Sequence, residues 1–461
     1  MIGALAAVTA GVVLLDATVG LPGGVLGGRL LDGGTSSAAP AASPRPAVSP
    51  VPAETVLEPS QGATAPDPAA LAAVLDPILT RKALGGTVSL TVVDLATGDL
   101  LFDRTSTSPR TPASTAKILT ASAALELLGG DARLTTKVVR TPPAAGGDPA
   151  AVPEIVLVGG GDPSLRAVPG GGDPSLRVLA KRTAEALATS GVEKVRLRYD
   201  ASLFAPPTAS PAWPASYVAS GVVAPVTALS VDDARQGDPS RYAAETFRTE
   251  LVASGIAVRG GLSSVRAGTS APEVARVQSR PVAMLVDQML TTSDNDYAEA
   301  FGHLAAVAAG EPATFEGGAA ATLAAVAGLG VRTTGVQLFD ASGLARSDRA
   351  PAATLAAMLS VAGAPGREGL RPVVTGLPVA GFTGTLADRF LVGAARAGAG
   401  VVRAKTGTLT GVSALAGTVL DREGRVLAFA FLVDRTADGG ASEVPVTLDR
   451  AAAALATCGC R

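Results

Sequence analysis

The pattern of hydrophobic and polar positions indicates regular structure from about Ala69 onward. Apolar residues first recur at helical spacing, and the alternating run Val88 to Val93 then leads to a turn at Thr97-Gly98-Asp99. Spacings of three and four residues are typical of an amphipathic helix, whereas alternation is typical of a strand with one buried face. The body of the protein is therefore predicted to begin with a helix and a β-hairpin.

The next periodic segment opens at Ser114. Apolar residues follow it at helical spacing until Gly129-Gly130, and glycines are common just after the end of a helix. Mixed short strands and helices are predicted from about Lys137 to Gln278. Ser114 is therefore predicted to stand at the beginning of a helix.

The remainder of the chain alternates between alanine-rich helical segments and apolar strands. The predicted helices lead from Val282 into Ser293 and span Tyr297 to Ala309, Thr354 to Val361 and Pro445 to Thr457. The predicted strands are Val401 to Ala404, continuing through Lys405-Thr406-Gly407, then Ala414 to Leu420 and Val426 to Val433. The chain is therefore predicted to belong to the mixed α/β (α+β) class.

The N-terminal region has a different pattern. Residues Ile2 to Leu15 are apolar without a charge, which is typical of a secretory signal or a membrane anchor, with an ordinary buried helix as the alternative. The following stretch is rich in Pro, Ala and Ser and is predicted to be a linker. We therefore expect a signal or anchor segment over 1–32 and a linker over 33–68. The folded body is then expected to be exported, either extracellular or at the outer face of the cytoplasmic membrane or cell wall.

Composition excludes several classes of function. A chain of 461 residues is longer than one hydrophobic core usually organises, so two or more domains are predicted. The net charge of -2 argues against a nucleic-acid partner. The single histidine, His303, is interpreted as a structural residue on a helix, which leaves no multi-histidine zinc site and no serine-histidine-aspartate triad. Cys458 and Cys460 are interpreted as incidental thiols on a frayed tail, with a disulfide as the alternative. No metal and no cofactor is predicted.

Three short motifs carry the candidate chemistry. The chain has six lysines and one asparagine, and three of these seven residues lie in suggestive positions. Lys117 follows Ser114 by three residues, Asn295 follows Ser293 by two, and Lys405 begins the run Lys405-Thr406-Gly407-Thr408. Each motif alone is weak, but their joint occurrence in this order, in a chain so poor in lysine and asparagine, is not readily explained by chance.

The first motif has the elements of an activated nucleophile. A serine hydroxyl needs a base to remove its proton, and a lysine three residues along a helix reaches it. Lys117 must be neutral to act as that base, which burial or a nearby cation such as Lys405 would favour. Arginine would fail at 117 because a guanidinium keeps its proton, whereas at 405 either cation would hold a carboxylate.

The other motif residues fit the binding of a peptide. The backbone N–H groups of Ser114 and Thr408 are candidate oxyanion donors, and Gly407 would let a substrate backbone lie along its strand. Ser293 would relay a proton to a leaving amine, and Asn295 would hold a substrate amide.

This trio and the text around it resemble the D-alanyl-D-alanine carboxypeptidase/endopeptidase family, peptidase family S13, the class C low-molecular-mass penicillin-binding proteins. The resemblance covers roughly residues 70 to 455. Besides the three motifs, it is carried by the segments Val158-Gly159-Gly160-Gly161-Asp162-Pro163-Ser164-Leu165, Ser342-Gly343-Leu344, Leu377-Pro378-Val379-Ala380-Gly381, Gly384-Thr385-Leu386 and Arg403-Ala404-Lys405-Thr406-Gly407-Thr408-Leu409.

The resemblance implies a split penicillin-binding/beta-lactamase-like transpeptidase domain, with an antiparallel sheet flanked by helices and an inserted mixed α/β domain. The expected parts are residues 69–137 and 281–461 for the catalytic domain and 138–280 for the insertion. The family's loop after Ser342-Gly343-Leu344 usually continues Ser-Arg-x-Asn-Arg, whereas this chain has Ala345 and Asp348 in place of the Ser and the Asn.

The resemblance also implies the roles of the site residues. The expected catalytic residues are Ser114, Lys117, Ser293 and Asn295, and the expected substrate-binding residues are Lys405, Thr406, Gly407 and Thr408. The expected function is a serine-type D-Ala-D-Ala carboxypeptidase, with endopeptidase activity as a second expectation, that acts on peptidoglycan stem peptides through an acyl-enzyme and is inhibited by β-lactams. The alternatives are a non-catalytic cell-wall binding or scaffolding protein and a β-lactamase. A membrane tether through the N-terminal segment is possible under each of them.

Overall fold

The structure is a computed structural model that describes residues 65–80, 82–85, 87–142, 151–232, 237–436 and 442–460. The predicted signal or anchor segment, 1–32, and nearly all of the predicted linker, 33–68, lie outside these residues. Within the described part of the chain, no helix is both long enough and apolar enough to cross a bilayer.

The described residues form two five-stranded sheets with helices packed around them. The strands are β1 (Val88–Asp94), β2 (Leu100–Arg104), β3 (Thr135–Arg140), β4 (Glu154–Val158), β5 (Lys194–Asp200), β6 (Ala257–Arg259), β7 (Glu273–Gln278), β8 (Val402–Leu409), β9 (Val412–Leu420) and β10 (Val426–Asp434). The helices are α1 (Pro68–Leu79), α2 (Lys117–Leu128), α3 (Leu176–Thr189), α4 (Ser216–Ala219), α5 (Pro239–Ala253), α6 (Val282–Thr292), α7 (Asn295–Ala309), α8 (Phe315–Gly328), α9 (Ala352–Gly363), α10 (Pro372–Thr375) and α11 (Glu443–Thr457).

The first sheet is antiparallel and has the order β2-β1-β10-β9-β8. Its strands come from both ends of the described chain, because the β1–β2 hairpin pairs with β10, with Val88 opposite Val433. Strand β8 therefore lies at one edge of the sheet. This antiparallel sheet flanked by helices confirms the predicted fold class.

The central strand β10 is buried on both faces. Leu427, Phe429 and Phe431 belong to a core shared with α1 and α11, while Ala428 and Ala430 belong to a core shared with α2, α6, α7 and α9. Large side chains thus alternate with small ones along the strand, which explains a continuous apolar run in a strand with period-two geometry. The small residues let the helices that carry the candidate site pack closely on the sheet.

The second sheet is mixed and has the order β6-β5-β4-β3-β7. Strands β4, β5 and β6 are parallel, and β3 is antiparallel to both of its neighbours. Helices α3 and α5 share a hydrophobic core with this sheet. The chain enters this sheet through β3 and leaves it through β7, and these two strands pair. An insertion between α2 and α6 has this geometry, although the boundaries 138–280, 69–137 and 281–461 stay a prediction.

Ser114 stands at the beginning of a helix as predicted, but the first turn of that helix is 3₁₀. Ser114 lies in a 3₁₀ turn, Ala113–Ala116, and α2 begins at Lys117. The Pro112 carbonyl accepts from the backbone N–H of Thr115, at 3.3 Å, and from the Thr115 hydroxyl, at 2.7 Å. These two bonds satisfy the carbonyl that an α-helix would have used for residue 116, so the turn tightens.

The interpretation of the C-terminal cysteines as incidental thiols on a frayed tail was also wrong. Cys458 is buried at the end of α11 and forms a disulfide with Cys460. The Cys460 carbonyl accepts a hydrogen bond of 2.9 Å from the backbone N–H of Asp67, the residue that caps α1. The tail is held because α11 and α1 lie side by side against the sheet.

A glycine in β9 permits the close approach of β8. A Cβ atom added at Gly417 would lie 1.9 Å from the Arg403 carbonyl oxygen and 2.6 Å from Ala404 Cα. We expect Gly417→Ala to lower the free energy of unfolding by about 2–3 kcal/mol through overpacking, measured as a lower midpoint of urea unfolding. Gly261→Ala is the matched control because no atom lies within 4 Å of the added Cβ. Equal midpoints for the two variants would contradict the predicted clash.

Candidate active site

The 3₁₀ turn places Ser114 next to Lys117. Residues three apart eclipse each other in a 3₁₀ turn, and Lys117 Nζ lies 3.2 Å from Ser114 Oγ. Ala113, directly before the serine, has a φ of 48°, a left-handed conformation that costs energy in a residue with a side chain. The local backbone is therefore held under strain that presents a half-buried serine beside a buried amine.

Two further partners fix the Lys117 amine. Nζ donates to Asn295 Oδ1 at 2.7 Å and to the Ser342 carbonyl oxygen at 2.8 Å. The lysine side chain is 0% exposed. With Ser114 Oγ, the amine therefore has three oxygen neighbours and no access to bulk water.

The second motif lies at a sharp junction between two helices. Ser293 ends α6 with a φ of 61°, and Asp294 caps the N-terminus of α7 by accepting from two backbone N–H groups. The turn aims Ser293 Oγ at Lys405 Nζ, which donates to it at 2.8 Å. Asn295 uses its other end to donate from Nδ2 to the Val222 carbonyl at 2.9 Å.

The third motif lies on the edge strand β8. Lys405 is 0% exposed and also donates to the Thr406 carbonyl, at 3.0 Å, while the Thr406 hydroxyl donates to that of Thr385 at 2.9 Å. Residues 378–380 pair with the outer edge of β8 only near Arg403. Among the described residues, no strand pairs with the outer edge of the remaining part, residues 405–409.

The structure shows why position 407 is a glycine, which the sequence did not reveal. A Cβ atom at this position would lie 2.7 Å from the Pro112 carbonyl oxygen and 3.2 Å from Ala113 Cβ. The glycine therefore lets β8 approach the turn that carries Ser114. The role predicted for it, close approach of a substrate backbone, stays a prediction.

Burial dominates the electrostatics of the two lysines. Removal from water lowers the pKa of Lys117 to about 8, against the opposing effect of nearby carboxylates such as Asp340 and Glu299. Burial, and then the charge of Lys117, lowers the pKa of Lys405 well below its ordinary value. Two ammonium groups in one dry cleft repel each other, so the site favours a single positive charge over two.

The loop of residues 340–345 supports Lys117, and none of the three motifs pointed to this contact. Glu299, on α7, accepts from the backbone N–H groups of Ala341, at 3.2 Å, and Ser342, at 2.8 Å. Asp340 accepts from the backbone N–H of Gly343 and of Ala345. These carboxylates fix the main chain whose Ser342 carbonyl meets the lysine.

The inserted region also reaches this loop. Trp213 Nε1 donates to Asp340 Oδ2 at 2.6 Å, and the indole packs edge-on against Phe315. Glu299 follows Asn295 by four residues, so helical spacing could have placed both on one face of α7. No local signal links Trp213 to Asp340, because that contact depends on tertiary packing.

The predicted site residues form two hydrogen-bonded groups, Lys117 with Ser114 and Asn295, and Lys405 with Ser293 and Thr406. Gly407 lies against the turn that carries Ser114, and Thr408 follows it on β8. His303 stands apart: it is buried on α7 between Phe204 and Phe315, and its Nδ1 pairs with the Glu299 carbonyl at 2.9 Å. Among the described residues, no group of three or more His, Cys, Asp or Glu side chains is placed to hold a metal ion.

Comparison with known proteins identifies the class to which this site belongs. The model of the D-Ala-D-Ala carboxypeptidase 3 (S13) family matches residues 71–237 and 233–455. A carboxypeptidase of Mycobacterium tuberculosis is 37% identical over 435 residues, covering 92% of this chain and 90% of the relative. Carboxypeptidase DacB of Mycolicibacterium smegmatis is 36% identical over 389 residues, covering 81% of each chain. The chain belongs to the S13 family of serine-type D-Ala-D-Ala carboxypeptidases, which confirms the predicted family and enzyme class.

Solved structures have a similar fold. The crystal structure of penicillin binding protein 4 (dacB) from Haemophilus influenzae matches with a TM-score of 0.68 at 20% identity, covering 83% of this chain and 97% of that one. A structure of that protein complexed with a β-lactam matches with a TM-score of 0.65 at 20% identity, covering 82% and 97%. These neighbours show that the fold is shared.

The expectation that either cation would serve at position 405 stays a prediction, but the full burial of Lys405 argues against arginine. Lys405→Arg would place a guanidinium, which keeps its proton, in a fully buried position and would add volume, which typically costs about 1–3 kcal/mol. We expect a lower midpoint of thermal unfolding and loss of most D-Ala release. Lys181→Arg, at an exposed position on α3, is the matched control and should match the wild type in both measurements. Full D-Ala release by Lys405→Arg would show that the cleft accepts a guanidinium.

Proposed function

We propose that Ser114 is the nucleophile of this carboxypeptidase and Lys117 its base, acting on the terminal D-Ala of peptidoglycan stem peptides. The observation that carries the proposal is the buried Lys117 amine, which meets Ser114 Oγ, Asn295 Oδ1 and the Ser342 carbonyl together. A structural lysine would not need a half-exposed serine as one of three partners.

The acylation step follows from this arrangement. Ser114 Oγ attacks the carbonyl carbon before the terminal D-Ala, and its proton passes to the neutral amine of Lys117. The bond to the D-Ala nitrogen breaks, and that nitrogen takes the hydroxyl proton of Ser293, which the Lys405 ammonium, 2.8 Å away, replaces. Water then attacks the ester carbonyl carbon and gives one proton to the Lys405 amine, the bond between Ser114 Oγ and the acyl group breaks, and the Lys117 ammonium returns its proton to Ser114 Oγ.

Strand β8 supplies the binding surface for the peptide. The outer edge of residues 405–409 is open among the described residues, and an extended peptide can add to such an edge through main-chain hydrogen bonds. The backbone N–H groups of Ser114 and Thr408 are the proposed oxyanion donors. Lys405, Thr406 and Thr408 are proposed to hold the terminal carboxylate, with Gly407 between them, and Asn295 to hold a substrate amide.

Arrival of the carboxylate would set the charge of both lysines. In the free protein the pKa of Lys117 and that of Lys405 are both lowered, because burial disfavours both ammonium forms. An anion beside Lys405 favours its charged form, and the resulting ammonium favours a neutral amine at Lys117. Substrate binding would thereby prepare the base for proton transfer.

The same cleft fits a β-lactam, whose carboxylate and strained amide present the groups that the peptide presents. The β-lactam complex of the Haemophilus influenzae neighbour supports this inference. A cell-wall substrate requires the folded part to act outside the cytoplasmic membrane, so we propose export, with residues 1–32 as the signal or anchor, 33–68 as the linker and 138–280 as the inserted domain.

Trapping the acyl-enzyme tests the nucleophile. Incubation with a penicillin, followed by peptide mass spectrometry, is expected to place one adduct on Ser114. Ser114→Ala should form no adduct and lose D-Ala release by a factor on the order of 10⁴, whereas Ser190→Ala, at an exposed helix end, should react normally. An adduct on another serine, or none in folded wild-type protein, would contradict the proposal.

The pH dependence of acylation tests the base. A lysine accepts a proton only in its neutral form, so the second-order rate constant for β-lactam acylation should rise as pH increases through about 8, the pKa of Lys117. Stopped-flow measurement across neutral and alkaline pH provides the profile. Lys117→Arg should be slow at every pH because a guanidinium keeps its proton. A wild-type rate that falls over this range would argue for a different base.

A further inference from the structure

Two buried carboxyl groups lie together under the loop that holds Lys117. Asp340 is 1% exposed and Asp348 is 0% exposed, and their side chains lie within hydrogen-bonding reach of each other. Two ionised carboxylates at this distance in a dry site would repel strongly, and a hydrogen bond between two carboxyl groups requires a proton.

The hydrogen-bond partners show which of the two holds the proton. Asp340 accepts three N–H groups, from Gly343 at 2.7 Å, Ala345 at 2.6 Å and Trp213 at 2.6 Å. Three donors stabilise a carboxylate. Asp348 accepts only one N–H, from Phe339 at 2.8 Å, and its Oδ2 is buried without a donor among the described residues. The proton therefore belongs on Asp348.

The charged groups around this pair do not change the assignment. Glu299, on α7, is also buried here, and burial and then Asp340 raise its pKa to about 8, so it adds negative charge mainly in alkaline solution. Lys117, on α2, is itself occupied by three oxygen atoms. Arg349 follows Asp348 directly, but its guanidinium donates to the Asp348 and Arg346 carbonyls and to the Thr111 hydroxyl. Burial and then the neighbouring Asp340 raise the pKa of Asp348 well above its ordinary value.

We propose that Asp348 is a neutral carboxylic acid that donates its proton to Asp340 and thereby positions the loop on which Lys117 depends. A protonated aspartate has both a donor and an acceptor, so Asp348 can donate to Asp340 while it accepts from the Phe339 N–H. Unlike an asparagine of the same shape, it can also ionise. Asp348 is thus a positioning residue whose support of Lys117 is lost at high pH.

Asp348→Asn is the isosteric test, and Asp131→Asn, at an exposed position, is its control. The folded-state pKa of Asp348 is raised, so its stabilising contribution is complete at acidic pH and is lost as pH rises toward that pKa. The midpoint of thermal unfolding of Asp348→Asn minus that of the wild type should therefore become more positive as pH increases from acidic to alkaline. Asp131→Asn should show no such trend.

Infrared spectroscopy detects the proton directly. The difference spectrum of wild type minus Asp348→Asn at neutral pH should contain the carbonyl stretch of a protonated carboxylic acid. A carboxylate band in its place, or a stability difference that declines with pH, would overturn the proposal whether or not Ser114 and Lys117 act as proposed.

The link to Lys117 rests on the proposed function and has its own measurement. Above the pKa of Asp348, the protonated fraction falls about tenfold per pH unit. The ratio of β-lactam acylation rates, Asp348→Asn over wild type, should therefore increase with pH in the alkaline range. A constant ratio together with the expected infrared band would leave Asp348 neutral but would refute its positioning of the base.

Discussion

The burial of a lysine amine is the constraint on which the site depends. An ammonium group taken out of water loses its hydration, and the loss is tolerable only where oxygen atoms replace the water. Lys117 obtains these from Ser114, Asn295 and Ser342, which belong to three separate parts of the chain. The fold must therefore bring a 3₁₀ turn, a helix start and a loop to one point.

The antiparallel sheet makes this convergence possible because one of its faces carries small residues and the other carries large ones. Along β9, Ala414 and Ala416 lie opposite Gly407 and Lys405 of β8. Small residues on this face leave room for a lysine side chain and for the turn that carries Ser114 to pack against the strand. The opposite face carries Leu415 and Val419 and packs against α1 and α11. One sheet thereby provides both a dense core and the surface on which Lys405 and the Ser114 turn lie together.

Local features of the molecule were predictable from the sequence. Periodic or continuous apolar segments located β1, β10, α6 and α11 to within a few residues. The rare lysines and the single asparagine pointed to the cluster at Ser114, Ser293 and Lys405, since few other residues could have produced the pairs by chance. The detail at Ser114 was not predictable, because the competition for the Pro112 carbonyl depends on the conformation of Thr115.

Contacts between distant segments were not predictable. Two partners of Lys117 are supported by residues that lie between the first and second motifs in the sequence. Val222 accepts a hydrogen bond from Asn295, and Trp213 donates to Asp340, which accepts from the loop that contains Ser342. Both contacts are made by loop residues without a recognisable pattern. Because these contacts fix the partners of Lys117, loop residues between β5 and α5 contribute to the position of its amine.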